Sequence, residues 1–324
     1  MSLKRKIYLQ MKNVPALSKL TKIAVNFNLL VFHFPERRRV LHPGKEDQNA
    51  TYYIIRPRGE TEGLLSSYYH VMHQMYYAEC NKYIPYVDFK SDSCQYSVDY
   101  QVNGTYNAWE YFFQQPNHFN NIYLAQKRNV ILQGWTFRNS DCSDREVPGT
   151  WKRFFIDSLC PVQPYIQNLV QAKYNLLFPL KDRVLGVFVR GTDYVALRPK
   201  GHPVQPSVEQ IMNRIDLFKQ KYKIEKIYVV TEDFDIFSKI KNEYGESVFS
   251  ADNNFVFDYK KSDYVATAFR TDAYERGRDY LIRLLLLTRC DYLISSIASG
   301  SDFVRDYKQE DYIDSYIFDL GLYD

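Results

Sequence analysis

Hydrophobic and polar positions along this chain alternate between two rhythms. Residues 51–59, TYYIIRPRG, form a β-branched and aromatic run closed by Pro57 and Gly59, which predicts a strand. Over 62–83 the residues Leu65, Tyr69, Met72, Tyr76 and Cys80 recur three or four apart, the spacing of one helix face. IPYVDF (84–89) returns to strand, so 51–89 reads as a βαβ unit. A further strand follows in NVILQGW (129–135), then a helical stretch over 151–178 that Pro161 and Pro164 interrupt.

The second half repeats the pattern more regularly. A strand at 184–190 leads to a helix at 207–222, where SVEQ (207–210) is a capping box and Ile211, Ile215, Phe218 and Tyr222 share a face. Strands at 226–230, 254–257, 291–295 and 315–318 alternate with helices at 233–244, 273–289 and 299–309. Buried strands separated by helices predict a parallel, doubly wound sheet. The 324 residues fit two domains of roughly 150 each, with a boundary near Pro179 to Asp182. The expected fold is therefore α/β: two Rossmann-like parallel-sheet domains, 1–181 and 182–324, facing a central cleft. In such sheets ligands sit beyond the carboxyl ends of the strands.

Composition narrows the setting. A chain 45% hydrophobic and 25% charged, with 13 Gly and 13 Pro, is that of a soluble globular protein. No apolar run approaches the ~20 residues of a membrane span, and the N-terminus lacks the apolar core and cleavage site of a signal peptide. Five cysteines without CxxC spacing fit neither a disulfide framework nor a structural zinc site, and indicate a reducing cytoplasm. The net charge of +4 is too slight to suggest nucleic acid. Residues 1–39 hold nine Lys or Arg against the single acid Glu36, either a solvated basic arm or one that leans on the inner face of an anionic membrane. The 29 tyrosines would suit sugar stacking, but Phe, Ile, Asn and Lys run high with them, as an AT-rich coding sequence produces.

The candidate chemistry lies at strand ends. Arg190 and Asp193 follow the strand at 184–190, Thr231 and Glu232 follow 226–230, and Ser295, Ser296 and Ser299 follow a later one, while His202 sits in the first loop. A guanidinium, hydroxyls, an imidazole and helix N-termini together suit a nucleoside diphosphate. Each has a structural alternative: Arg190 could pair with Asp193, His202 could be a turn residue, and Thr231, Asp233 and the serines could be caps. The DxD of Asp233-Phe234-Asp235 opens a helix, which favours capping over Mn²⁺ or Mg²⁺ binding. His70 and His73 with Cys80 lack a carboxylate partner for a metal, so no metal site is expected. GxGxxG, GxxxxGK[ST] and GxSxG are absent from the sequence, which removes the phosphate cradles of dehydrogenases and P-loop enzymes and the serine-hydrolase elbow. A glycoside hydrolase would need a carboxylate pair roughly 5–10 Å apart, and no distinctive pair stands out.

The stretch GVFVRGTDY…GHPVQP (186–206) resembles the first motif of the fucosyltransferase superfamily that includes α1,6-, nodulation-type and protein O-fucosyltransferases. VVTED (229–233) resembles the second strand of that superfamily, and LLLLTRCDYLISSIASGS (284–301) its third motif. RPRGETEGLL…YIPYVD (56–88) is similar to the N-terminal βαβ, and NAWEYFFQQP (107–116) to uncharacterised bacterial polysaccharide-locus relatives. The resemblance implies a GT-B-like fold with an acceptor-side domain at 1–181 and a nucleotide-sugar-binding domain at 182–324. It also implies a GDP-fucose donor, metal-independent inverting transfer to a glycan acceptor, and no further cofactor. Arg190 would hold the diphosphate, His202 would contact the donor, Ser299 would bind phosphate, and Glu62 would be the base. The sequence departs from the pattern at Phe188, where His is common, at Arg283, where Asp is often found, and at Glu60 and Glu62, where a Gly-Asn pair is usual. These departures keep open a non-catalytic glycan- or nucleotide-binding protein, or a transferase using another nucleotide sugar.

Overall fold

Every residue of VLGVF (β5, Val184–Phe188) is buried, and that uninterrupted apolar run places it at the centre of a sheet covered on both faces. The computed structural model describes residues 39–59, 62–117, 121–133, 146–178, 182–191, 193–252 and 272–324. The chain builds β1 (Arg39–Leu41), β2 (Glu46–Ile55), α1 (Leu64–Cys80), β3 (Ile84–Val87), α2 (Asn121–Gln126), β4 (Lys127–Leu132), α3 (Gly149–Phe154) with a π turn at Phe155–Leu159, and α4 (Pro164–Leu177). After β5 come α5 (Asp193–Leu197), α6 (Val208–Lys221), β6 (Lys226–Val230), α7 (Phe234–Tyr244), β7 (Val248–Phe249), α8 (Ala273–Leu287), β8 (Tyr292–Ser296), α9 (Ser299–Tyr307) and β9 (Asp314–Phe318).

The C-terminal sheet has the order β7-β6-β5-β8-β9, parallel throughout. The chain winds outward from β5 through β6 to β7, then returns to β8 on the other side of β5. The switch point therefore lies between the carboxyl ends of β5 and β8, where a doubly wound sheet opens a crevice. The N-terminal sheet, β1-β4-β2-β3, departs from the all-parallel expectation. β2 runs parallel to β3 and β4, but the short edge strand β1 is antiparallel to β4. β2 also starts five residues before the predicted strand, because its first half, EDQNA, is polar and largely exposed and carries no hydrophobic signal. The strand expected at 254–257 lies outside the described residues.

One continuous apolar core joins the two sheets. Its centre is the segment 109–113, where Trp109, Tyr111, Phe112 and Phe113 are at most 2% exposed. Tyr68 of α1 meets Phe113 at 4.8 Å, Phe155 at 5.2 Å and Phe303 of α9 at 5.2 Å between ring centroids, while Tyr111 and Phe112 meet Tyr274 of α8. Offset and edge-on pairs of this kind are worth about 0.5–1.5 kcal/mol each beyond area burial. The aromatic wedge fixes α1 against α9 and so sets the geometry of the space between the sheets.

A buried polar cluster beneath α1 makes a pH prediction. The Arg56 N–H donates to Gln133 Oε1 at 3.0 Å, which turns the amide NH₂ toward His70 Nε2 at 2.9 Å. The same nitrogen lies 3.2 Å from the Arg56 carbonyl, and the ring sits in a site that disfavours its charged form. Burial, with the nearby Arg58 charge, lowers its pKa to about 3. Because the unfolded chain takes up this proton near pH 6.5 and the folded chain does not, His70 stabilises the fold fully above that pH and progressively less as pH falls toward 3. Between pH 7 and pH 5 this contributes a loss of about 2 kcal/mol. Denaturant unfolding at the two pH values should show it, with a shallower dependence in His70→Gln.

Candidate functional site

At the switch point the backbone leaves β5 through Val189 and Arg190, and a cleft of about 640 Å³ opens there. Its volume lies in the usual range for small-molecule sites, ~300–1,000 Å³. The cleft brings together six of the residues singled out from sequence: Glu62, Arg190, His202, Thr231, Glu232 and Ser299. Arg190 is held by Tyr194, from the short helix α5 that follows it. Its guanidinium lies 4.1 Å from the Tyr194 ring centroid, and the Tyr194 hydroxyl meets His202 Nδ1 at 3.1 Å. Cation–π contact and hydrogen bond thus link arginine, tyrosine and histidine in one row along the cleft wall. Thr192 and the Asp193 side chain lie outside the described residues.

Gly191 is where this loop meets the next strand end. A Cβ at 191 would stand 2.5 Å from Asp233 Oδ2, 2.6 Å from Asp233 Cβ and 2.8 Å from Ile236 Cδ1. Asp233 cannot easily yield, because its Oδ1 caps α7 by accepting from the N–H groups of Asp235 and Ile236 at 3.0 and 3.2 Å. Thr231 Oγ1 in turn accepts from the Asp233 N–H at 3.1 Å. The DxD segment is therefore a helix cap. Gly191→Ala should push the Arg190 loop off this cap, lowering the melting temperature and cutting nucleotide affinity at least tenfold. An overpacking cost of about 1–3 kcal/mol is typical, and calorimetry beside a melting curve would measure both effects.

The structure does not bring Ser295 and Ser296 into the cleft. Both are fully buried, and the Ser296 hydroxyl donates to Gln205 Oε1 at 2.7 Å. Side chains inside a strand point into the layers above and below the sheet, so only residues past the end of β8 reach the crevice. Those are Ile297, Ala298, Ser299, Gly300 and Asp302. Ser299 and Gly300 open α9, and the first N–H groups of a helix have no carbonyl to meet within it. The positive end of α9 thus faces the same space as Arg190.

Glu62 arrives from the N-terminal sheet, immediately before α1. Its Oε1 pairs with Arg58 and accepts from the Ser66 hydroxyl at 2.7 Å. Its Oε2 is buried without a hydrogen bond among the described residues. The loop is pinned from behind: Gln95 Nε2 donates to the Glu62 carbonyl at 2.6 Å, and Tyr96 Oη accepts from the Leu64 N–H at 3.0 Å. Sequence reading passed over Gln95 and Tyr96, which no local pattern ties to a loop thirty residues earlier. It also passed over Arg276 and Tyr280 of α8, which line the cleft together with Arg283. Their i, i+4, i+7 spacing on a predicted helix was a usable signal. Arg283 is 5% exposed and faces Asp252 at 3.9 Å. Among the described residues no cluster of three or more His, Cys, Asp or Glu could hold a metal ion.

Solved structures share the fold. The NodZ α1,6-fucosyltransferase soaked with GDP-fucose superposes with a TM-score of 0.52 at 14% identity, over 80% of this chain and 93% of that one. The selenomethionine fucosyltransferase NodZ from Bradyrhizobium gives 0.50 at 14% identity, over 80% and 92%. The fold is that of a GT-B fucosyltransferase. POFUT1 in complex with GDP aligns over 83% of this chain and 99% of its own, at 9% identity and a TM-score of 0.48. No family model matches the sequence. The resemblance carried by 186–206 and 284–301 holds at the level of this fold, and Arg190 and Glu62 both line the cleft between its sheets.

Proposed function

We propose that the protein is an inverting, metal-independent glycosyltransferase that moves fucose from GDP-fucose to a hydroxyl of a glycan acceptor in bacterial surface-polysaccharide synthesis. The observation that carries this reading is that two sheets contribute opposite charges, Arg190 and Glu62, to one cleft at the switch point of the C-terminal sheet. The C-terminal unit, 182–324, is then the donor side and 1–181 the acceptor side.

The chemistry follows from where charge develops. As the bond from the anomeric carbon to the β-phosphate oxygen lengthens, the sugar becomes oxocarbenium-like and negative charge grows on the phosphate. Arg190, fixed by Tyr194, and the N–H groups opening α9 stabilise that charge, the work a divalent cation does in other transferases. Ser299 adds a hydroxyl donor, and His202 orients the donor through its link to Tyr194. On the acceptor side, Glu62 takes the proton from the attacking hydroxyl as the new bond forms. Attack from the face opposite the leaving GDP inverts the anomeric configuration.

A turnover assay tests this reading. EDTA-treated protein with a panel of nucleotide sugars and oligosaccharide acceptors should release GDP from GDP-fucose, with NMR of the product showing the inverted anomer. Turnover of another nucleotide sugar would keep the transferase and change its donor. The ion pair of Glu62 with Arg58 and the replacement of an acidic residue by Arg283 favour a second reading, a binding protein of the same fold that has lost the chemistry. Donor binding with neither transfer nor donor hydrolysis would establish it. For location we propose the cytoplasm. No helix among the described residues is long and apolar enough to cross a membrane. If the basic segment 1–39 touches the membrane, vesicle co-sedimentation should fall when it is removed.

A further inference from the structure

Residue 300 is glycine for reasons of space. It belongs to α9 and its backbone lies outside the left-handed region, yet a Cβ there would stand 2.7 Å from Phe188 Cε1 and Cζ and 2.8 Å from the Tyr280 hydroxyl oxygen. Tyr280, from α8, therefore brings its hydroxyl against the second residue of α9, in the first turn, where N–H groups have no carbonyl to meet within the helix. Phe188 flanks the same point with no polar atom in its side chain. We propose that the Tyr280 hydroxyl donates a hydrogen bond to the outer phosphate, not the inner one, of the nucleoside diphosphate that Arg190 and the start of α9 hold. The inference rests on the donor reading above and adds a binding residue to it.

Placement and chemistry carry it. Tyr280 lines the cleft with Arg190, Ser299 and Gly300, one helical turn after Arg276 and three residues before Arg283, which line the same wall. The two arginines have neighbours of their own: Arg276 lies 5.8 Å from the Tyr96 ring centroid, and Arg283 faces Asp252 at 3.9 Å. Tyr280 lies in the fields of Arg190 and Glu232. Burial pushes its pKa up to about 12, with the Arg190 charge opposing the rise and the Glu232 charge adding to it. The hydroxyl thus keeps its proton at neutral pH and can donate it. An anion seated on the N–H groups that open α9 comes within reach of an oxygen placed against Gly300. A hydroxyl donating to a phosphate oxygen makes a charge-assisted bond and needs no excess of positive charge in the cleft. The ring of Tyr280 packs on the core, a role phenylalanine could fill, so the oxygen is the part of the residue left for a ligand.

Tyr280→Phe keeps the ring and removes only that oxygen. Calorimetry of the full chain and of this variant with GDP and with GMP, beside melting curves, tests the contact. The wild-type protein reports on the donor reading first, which requires GDP to bind at least tenfold tighter than GMP. In Tyr280→Phe the inference predicts GDP affinity about tenfold lower, the loss of one hydrogen bond to a charged group. GMP, which lacks the outer phosphate, should bind within about twofold of wild type, and the melting temperature should not change. Equal weakening of GDP and GMP would make Tyr280 part of the frame of the cleft, and unchanged GDP affinity would leave its hydroxyl without a role. Either result overturns the inference while a GDP-selective wild type keeps the donor reading. A wild type that does not distinguish GDP from GMP would overturn both.

Discussion

Arg190→Ala should lower turnover at least ~100-fold, equivalent to about 2.7 kcal/mol of lost transition-state stabilisation. The guanidinium stands at the carboxyl end of the fully buried central strand of the sheet, and the Tyr194 ring holds it from one side. Such a group needs no reorganisation when charge appears on the leaving diphosphate. The ground-state diphosphate is already charged, so GDP affinity should fall too, but by less, about tenfold. That split between rate and affinity separates a transition-state contact from a merely structural partner. Arg190→Lys should recover only part of the rate, because an ammonium keeps the charge but lacks the planar fork. Wild-type turnover in Arg190→Ala would remove the residue from the mechanism.

Glu62→Gln should reduce the rate of transfer ~10²–10⁴-fold, the usual contribution of a positioned base, while GDP-fucose affinity stays within about threefold. Glutamine keeps the shape and can still accept from Ser66 and Arg58, so the change removes the proton acceptor and the negative charge of the Arg58 pair. Parallel loss of rate and donor affinity would instead assign Glu62 to holding the loop, through the Arg58 pair and Ser66. A comparison of kcat with the donor KM decides between the two. Arg58→Gln completes the set: if the ion pair only orients Glu62, it should cost less rate than Glu62→Gln.

Much of the fold was legible in the chain because its C-terminal half is locally consistent. KIYVV is a strand in isolation and in the sheet, and SVEQ forms the capping box that its spacing promised, with Ser207 and Gln210 exchanging hydrogen bonds. What escaped was set by distance in sequence or by direction. β1 is three residues long and antiparallel, too short for any periodicity. Ser295 and Ser296 were read as site residues because they end a strand. They lie inside it, and the crevice belongs to Ser299 and Gly300 one step beyond. Arg276 and Tyr280 were hidden for another reason: an amphipathic helix announces which face it buries, not whether the polar edge of that face borders a cleft. The pinning of Glu62 by Gln95 and Tyr96 is a tertiary fact with no local signature.

The claim at the centre of this account is that the cleft holds a nucleoside diphosphate on Arg190. Calorimetric titration of EDTA-treated protein with GDP, UDP, CDP, ADP and GDP-fucose, repeated on Arg190→Ala, tests it most directly. The account predicts selective GDP and GDP-fucose binding without added metal, weakened about tenfold in the variant. Absence of nucleotide binding by the wild-type protein, or equal GDP binding by Arg190→Ala, would contradict it.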